Sequence, residues 1–252
     1  MAPNFASVKE LAHNANPTYY SLQVTVERRF SRDFSFLAFY TWSKAIDLES
    51  ANNQFTISNP NPFDPAFNRG LADFDVPHNF RLTGIYDLPR LTRQKNWVQR
   101  ALGGWRVSEI IDWRSGTPFG LQSGIDNSFS GVGQDRADLF GNPRLPGDRP
   151  LAQLIQKYFD TSLVKVNAPG TFGNSPRNFL RNQSLFNTDA SLEKSFSVRE
   201  RVRIQLRCDA FNVFNNTHLN QPGSNVSAAS TFGVVISAGE PRILQLGARI
   251  IF

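Results

Sequence analysis

Residues 19–30 read Tyr19-Tyr20-Ser21-Leu22-Gln23-Val24-Thr25-Val26-Glu27-Arg28-Arg29-Phe30, and the apolar side chains fall at even positions. Tyr20, Leu22, Val24, Val26 and Phe30 alternate with Ser21, Gln23, Thr25, Glu27 and Arg29, and Arg28 alone breaks the apolar side. A period of two is the signature of a strand with one apolar and one polar face. The polar turn Ser31-Arg32-Asp33 leads straight into Phe34-Ser35-Phe36-Leu37-Ala38-Phe39-Tyr40-Thr41-Trp42-Ser43. The two runs predict a tight hairpin.

The same alternation recurs along the chain. Phe80, Leu82, Gly84, Tyr86 and Leu88 alternate with Asn79, Arg81, Thr83, Ile85 and Asp87, and Pro89 stops the run. Trp105–Arg114 places Trp105, Val107, Ile111 and Trp113 on one face, with Glu109 and Ile110 on the wrong ones. Phe186, Ala190, Leu192 and Phe196 form one side of a run with Thr188 and Lys194 as its exceptions. After a Val198-Arg199-Glu200 turn, Val202, Ile204, Leu206, Cys208 and Ala210 form the next. The chain closes with Leu244, Leu246, Ala248, Ile250 and Phe252 on one side and Gln245, Gly247 and Arg249 on the other.

Connection lengths order these strands in space. Shorter turns near 31–33, 90–103 and 197–199 alternate with long polar stretches at 44–77, 115–184 and 215–240. All short ends therefore lie on one side of the sheet and all long ends on the other. Such loops count against a compact soluble domain, whereas an outer-membrane barrel expects short periplasmic turns and long extracellular loops. The expected fold is all-β: an antiparallel transmembrane β-barrel portion of about seven or eight strands. Tyr19, Tyr20, Phe30, Phe34, Tyr40, Trp42, Tyr86, Trp105, Trp113, Phe186 and Phe196 cluster near predicted strand ends, as interfacial aromatic girdles would.

Composition agrees. The chain has 252 residues with 22 phenylalanines, 17 glycines, 15 prolines and one methionine, an aromatic and turn-rich balance that favours β-structure. No run of apolar residues is long enough for a transmembrane helix, which does not bear on a barrel. Cys208 is the single cysteine, so an internal disulfide and a zinc–thiolate site are excluded. A β-sandwich or lipocalin-like barrel with its apolar face inward shares the period of two. The mixed Arg, Asp, Glu, Gln, Asn and Ser of the polar face favour a hydrated lumen instead. An odd strand count leaves an open edge, costly in hydrocarbon, so further strands are expected upstream.

An ordered set of blocks resembles the C-terminal barrel region of TonB-dependent receptors, in their Oar-like branch. The blocks are Tyr19–Val24, Phe36–Asp47, Asp75-Val76-Pro77-His78-Asn79-Phe80, Tyr86-Asp87-Leu88-Pro89, Gly104-Trp105, Ser115-Gly116-Thr117-Pro118-Phe119, Asp209–Asn215 and Gln245–Phe252. The likeness spans residues 17–252, read as the C-terminal part of the barrel domain, with 1–16 as a loop or the end of a preceding strand. It implies a large plugged barrel that imports a bulky nutrient with energy from the TonB complex. It also implies that Leu246, Ala248, Ile250 and Phe252 of the last strand are read by the barrel-assembly machinery. Implied partners are outer-membrane lipid, that machinery, and the rest of the barrel and plug. No plug, TonB box or export signal matches residues of this chain, so TonB would be reached only through a region outside it. The alternative is a non-transporting structural or adhesin-like barrel protein.

The sequence carries no catalytic or metal-binding pattern. His13, His78 and His218 lack metal spacing, and His78 reads as a polar residue at a barrel rim. Asp126, Asp135 and Asp138, or Asp64, Asp73 and Asp75, have the oxygens for calcium but not the spacing of an EF-hand, which favours turn aspartates. The arginines Arg28, Arg29, Arg32, Arg81, Arg106, Arg114, Arg203, Arg207 and Arg249 are spread over many strands, not gathered as in a nucleic-acid groove. The net charge of +6 therefore reads as lumen and surface. We expect no enzyme activity, cofactor or nucleic-acid partner, and the substrate is open. Leu151, Leu154, Ile155 and Tyr158 have helical spacing within the longest loop.

Overall fold

The computed structural model describes residues 16–31, 33–50, 59–61, 63–89, 103–133, 135–199 and 202–252. Its strands are β1 (Thr18–Ser31), β2 (Phe34–Asp47), β3 (Gly70–Leu71), β4 (His78–Asp87), β5 (Trp105–Arg114), β6 (Pro118–Phe119), β7 (Asp138–Leu139), β8 (Val164–Lys165), β9 (Leu180–Arg181), β10 (Leu185–Arg199), β11 (Val202–Phe211) and β12 (Ile243–Ile251). One short α-helix, α1, spans Leu151–Gln156. The long strands pair antiparallel in the order β1-β2-β4-β5-β10-β11-β12, with β3 added to the end of β2. Every alternating run of the sequence is one of these strands, and β1, β2 and β10 extend further toward the loops or turns than the alternation does.

Register assigns the faces, because directly opposed residues in an antiparallel pair share a side. Leu22 opposes Trp42, Tyr40 opposes Phe80, Phe80 opposes Trp113 and Trp113 opposes Phe186. Farther along, Leu192 opposes Cys208 and Cys208 opposes Leu246. The apolar side of each strand thus falls on one face of the sheet from β1 to β12. The other face carries Gln23, Thr41, Asn79, Arg81, Asp112, Asn187, Glu193, Arg207 and Gln245 at matching positions.

The apolar face has an aromatic belt at each end. Tyr40, Trp42, Phe80, Trp113 and Phe186 lie toward the long loops, and Phe34, Phe36, Tyr86, Trp105 and Phe196 toward the short turns. Ala38, Leu82, Ile111, Leu192, Leu206 and Ala248 occupy the band between them. Tyr19 is a correction to the expected girdle, since it opposes Ala45 on the polar-face file. Strand pairing ends at Ile251, and Phe252 lies one residue beyond it, 94% exposed. Leu246, Ala248 and Ile250 do lie on the apolar face, opposite Cys208, Leu206 and Ile204.

Four polar exceptions on that face are accommodated locally. Arg28 reaches Phe34, its guanidinium carbon 5.5 Å from the ring centroid. Lys194 donates to the Gly103 carbonyl at 2.6 Å and lies about equally far from the Trp105 and Phe196 rings. Both are long side chains near the short-turn end, where a charged head leaves the apolar band. Glu109 stands between Gly84 and Ala190. A Cβ on Gly84 would lie 3.1 Å from its Oε1, so glycine makes the room. Thr188 is buried beside Ile111.

The line of directly opposed residues from Leu246 through Cys208, Leu192, Val107 and Tyr86 reaches Phe34. Leu246 lies five residues from the short-turn end of β12 (251 − 246), whereas Phe34 is the first residue of β2, five strands away. The stagger is therefore roughly one residue per strand, about 3.4 Å against a strand spacing of about 4.8 Å, or a tilt of about 35°. Strands in closed barrels slant by this amount. The described residues leave β1 and β12 each paired on one side only.

The apolar core does not lie under the sheet. Among the described residues, the buried apolar clusters are Phe119, Leu121, Ala137, Phe159, Val164 and Leu180, and then Leu154, Leu219 and Val235. All belong to the long connections. Tyr20, Leu22, Val26, Trp42, Trp113, Phe186, Leu206 and Leu246 on the sheet are exposed. A soluble sandwich would have the reverse arrangement. Segment 90–102, within the expected 90–103 turn, lies outside the described residues.

Candidate functional site

The polar face lines a trough. Gln23 of β1, Thr41 of β2, Asn79 and Arg81 of β4, Asp112 and Arg114 of β5, and Asn187 and Asp189 of β10 border one hollow of about 820 Å3, closed by Phe211, Glu240 and Ile243. Residues from both edge strands, Gln23 of β1 and Ile243 of β12, share this space, so the sheet curls with its polar face inward. Three of its arginines are paired with aspartates. Arg81 holds Asp112 through two hydrogen bonds, and Arg106 holds Asp87 in the same way, at 2.6 and 2.9 Å. Arg207 donates to Asp209 two residues on, at 2.8 Å. Arg114, Arg203 and Arg249 occupy the same face by register, while Arg29 lies beside Glu27 at 3.4 Å. The mixture of signs expected of a lumen is present; Arg32 lies outside the described residues.

Over the long-loop end the connections fold into a cap. Helix α1 forms where the helical spacing falls, and it buries Leu154 against Leu219 and Val235. Phe119, Phe159 and Phe232 stack with edge and tilted contacts, with centroids 5.2 to 6.3 Å apart. Ion pairs clamp the cap to the strands. The buried Asp47 carboxylate at the end of β2 accepts from Arg177, which also reaches Asp73. The buried Asp75 accepts from the Ala45 amide at 2.6 Å and from Arg181 at 2.5 Å. Arg136 reaches the carbonyls of Ser175 and Phe67 and the Asn68 side chain, and sits 4.3 Å from the Phe67 ring centroid. Burial pushes the Arg136 guanidinium down to about 10, and the nearby Arg177 cation adds to the effect. Sequence spacing gave no sign of these clamps, because partners stand 106 and 130 residues apart.

Close backbone packing explains two of the blocks. A Cβ on Gly116 would lie 1.8 Å from the Asn182 carbonyl oxygen, so only glycine lets the chain pass there. Asn212 takes a φ of 51°, its amide donating to Asp189 and its side chain bridging to Asn216. It turns the chain from β11 into the cap.

The candidate metal ligands are engaged elsewhere. Asp126 accepts from Ser128, Ser130 and Gly131, and Asp64 caps the 3-10 turn at Pro65–Asn68 through the Ala66 amide. Asp135 binds Ser128 and Asn167, and Asp138 binds the Ala168 and Asn174 amides. No group of three or more His, Cys, Asp or Glu gathers among the described residues. His78 opens β4 opposite Trp42, bonded to the Tyr40 hydroxyl at 2.8 Å and stacked between Tyr40 and Trp113. It is a rim residue. His218 meets the Phe186 carbonyl oxygen at 3.0 Å, and His13 lies outside the described residues.

Comparison with known proteins adds one finding. The family profile described as outer membrane beta barrel domain matches residues 1–245. No curated protein and no solved structure matches the chain. With an outward apolar band, an inward charged trough and this match over nearly its whole length, the chain belongs to the outer membrane beta barrel domain family.

Proposed function

We propose that this chain is the C-terminal part of the barrel wall of a TonB-dependent outer-membrane receptor that imports a bulky nutrient. The short turns then face the periplasm and the clamped cap faces outward. The observation that carries this reading is the tie between trough and cap. Asp75 and Arg181 join the mouth of the lumen to loops that an arriving solute meets first. The blocks that resemble the receptor family supply this junction, in Asp75, His78, Gly116 and Asn212. The protein acts by binding and passage, not by bond chemistry. Lipid covers the apolar face, further strands and a plug complete the barrel, and TonB acts through that plug. The assembly machinery reads Leu246, Ala248, Ile250 and Phe252.

A non-transporting structural or adhesin-like role is the second reading, favoured by the outer edges of β1 and β12, which have no strand partner among the described residues and offer backbone groups to another chain. The test is uptake by cells carrying the intact gene, with and without TonB, across labelled oligosaccharides, ferric chelates and cobalamin. Accumulation of one of them only when TonB is present supports the receptor. Correct membrane insertion with no TonB-dependent accumulation supports the structural role.

A further inference from the structure

The cap carries a second, partly open cavity of about 460 Å3, apart from the trough. That volume suits a small organic molecule. Leu154, Phe159, Phe179 and Leu180 give it apolar and aromatic walls, and Leu71 closes it from the β2–β4 connection. Two guanidiniums border it. Arg149 donates to the carbonyls of Pro146, Lys157 and Tyr158 at 2.8 to 3.0 Å. Arg144 donates to the Phe179 carbonyl and lies 5.8 Å from that ring's centroid.

Among the described residues neither arginine has a carboxylate partner, and no Asp or Glu lines the cavity. The third arginine of the lining, Arg181, is neutralised by Asp75. In the trough, Arg81 and Arg106 each hold an aspartate. Carbonyl oxygens fix the position of Arg149 but leave its charge unbalanced. An anion is the complement of two such groups, through charge-assisted hydrogen bonds. Asn182 also lines the cavity; its amide nitrogen donates to Thr117, and its Oδ1 is buried without a partner among the described residues. That oxygen is closed to solvent, so it belongs to the wall behind the cavity and is not a contact open to a ligand.

We propose that this cavity binds a small amphipathic anion: a flat or aliphatic apolar body against Phe159 and Phe179, and a carboxylate between Arg144 and Arg149. The site rests on the cap alone and needs no energised transport, so its test is separate from uptake. The protein, extracted from outer membranes in detergent, is titrated with 6-fluoro-2-naphthoate and with its neutral amide, 6-fluoro-2-naphthamide, and binding is read by fluorine NMR. Empty micelles serve as the reference for partitioning.

The naphthoate binds at least about tenfold more tightly than the amide, and Arg144→Gln weakens the naphthoate about tenfold while leaving the amide unchanged. Arg144 is exposed and holds one carbonyl, so this variant keeps the fold, which circular dichroism verifies. Arg149→Gln gives the same loss. Equal affinity for acid and amide, indifference to Arg144→Gln, or no binding above the micelle reference overturns the proposal.

Discussion

Arg81 and Asp112 stand directly opposite each other on β4 and β5, with Nε 2.5 Å from one carboxylate oxygen and the second guanidinium nitrogen 3.1 Å from the other. The pair lies on the concave side of a sheet whose convex side is aliphatic and aromatic. Charge in the interior of the curve and hydrocarbon outside it is the inverse of a soluble β-protein. The guanidinium is more than half exposed, so water screens the interaction. A double-mutant cycle over Arg81→Ala and Asp112→Ala, read by urea unfolding in detergent, gives a coupling of about 0.5 to 1 kcal/mol.

The two faces differ in their tolerance of charge. Leu206 lies opposite Ala248 on the apolar band, and Gln205 lies opposite Arg249 on the trough side. Leu206→Arg costs about 2 to 4 kcal/mol when the protein is folded into a bilayer, while Gln205→Arg changes stability by less than about 1 kcal/mol. Folding free energies from tryptophan fluorescence in lipid vesicles measure both.

Asp75 is nearly fully buried and anchors the cap. Asp75→Ala takes the acceptor from the Ala45 amide and the carboxylate from Arg181, which keeps only the Asp75 and Gly116 carbonyls. The loss is about 3 kcal/mol, concentrated in the cap. Limited proteolysis then cuts within 115–184 faster than in the parent protein, while the strands stay protected.

Much of the fold was legible because lipid and water impose opposite demands on alternate residues, and a period of two records both. The runs at Tyr19–Phe30 and Trp105–Arg114 need no partner to be recognised. Glu109 and Lys194 violate that pattern, and only the register explains them: Gly84 gives one its space, and the Gly103 carbonyl takes the other. The cap was not legible. Phe119, Leu121, Phe159, Val164 and Leu180 come from short elements and turns, where burial follows no period. The clamps Asp47–Arg177 and Asp75–Arg181 and the paired and unpaired arginines are relations across the fold, which spacing does not encode. Helix α1 is the exception, because it repeats its apolar residues at i, i+3 and i+4.

Burial in the cap raises the Tyr158 phenol to about 12, partly opposed by Arg149, and its hydroxyl donates to the Arg181 carbonyl. The folded state therefore keeps this proton where the unfolded chain, with a pKa of about 10, releases it. The contribution to stability is complete below pH 10 and is lost as pH rises toward 12. A spectrophotometric titration shows a phenol ionising near pH 12 that is missing from Tyr158→Phe. The variant also loses less stability than the parent between pH 10 and 12.

The outward orientation of the apolar face is tested most directly by spin labels in a Cys208→Ser background reconstituted in lipid. Labels replace Leu82, Leu192 and Leu246 on one face, and Thr83, Glu193 and Gln245 on the other. Collision rates with oxygen, which concentrates in acyl chains, and with a water-soluble nickel chelate are compared at each position. The account predicts high oxygen and low nickel access at the three leucine positions and the opposite at the other three. Leucine positions closed to both reagents, as inside a packed protein core, would contradict it.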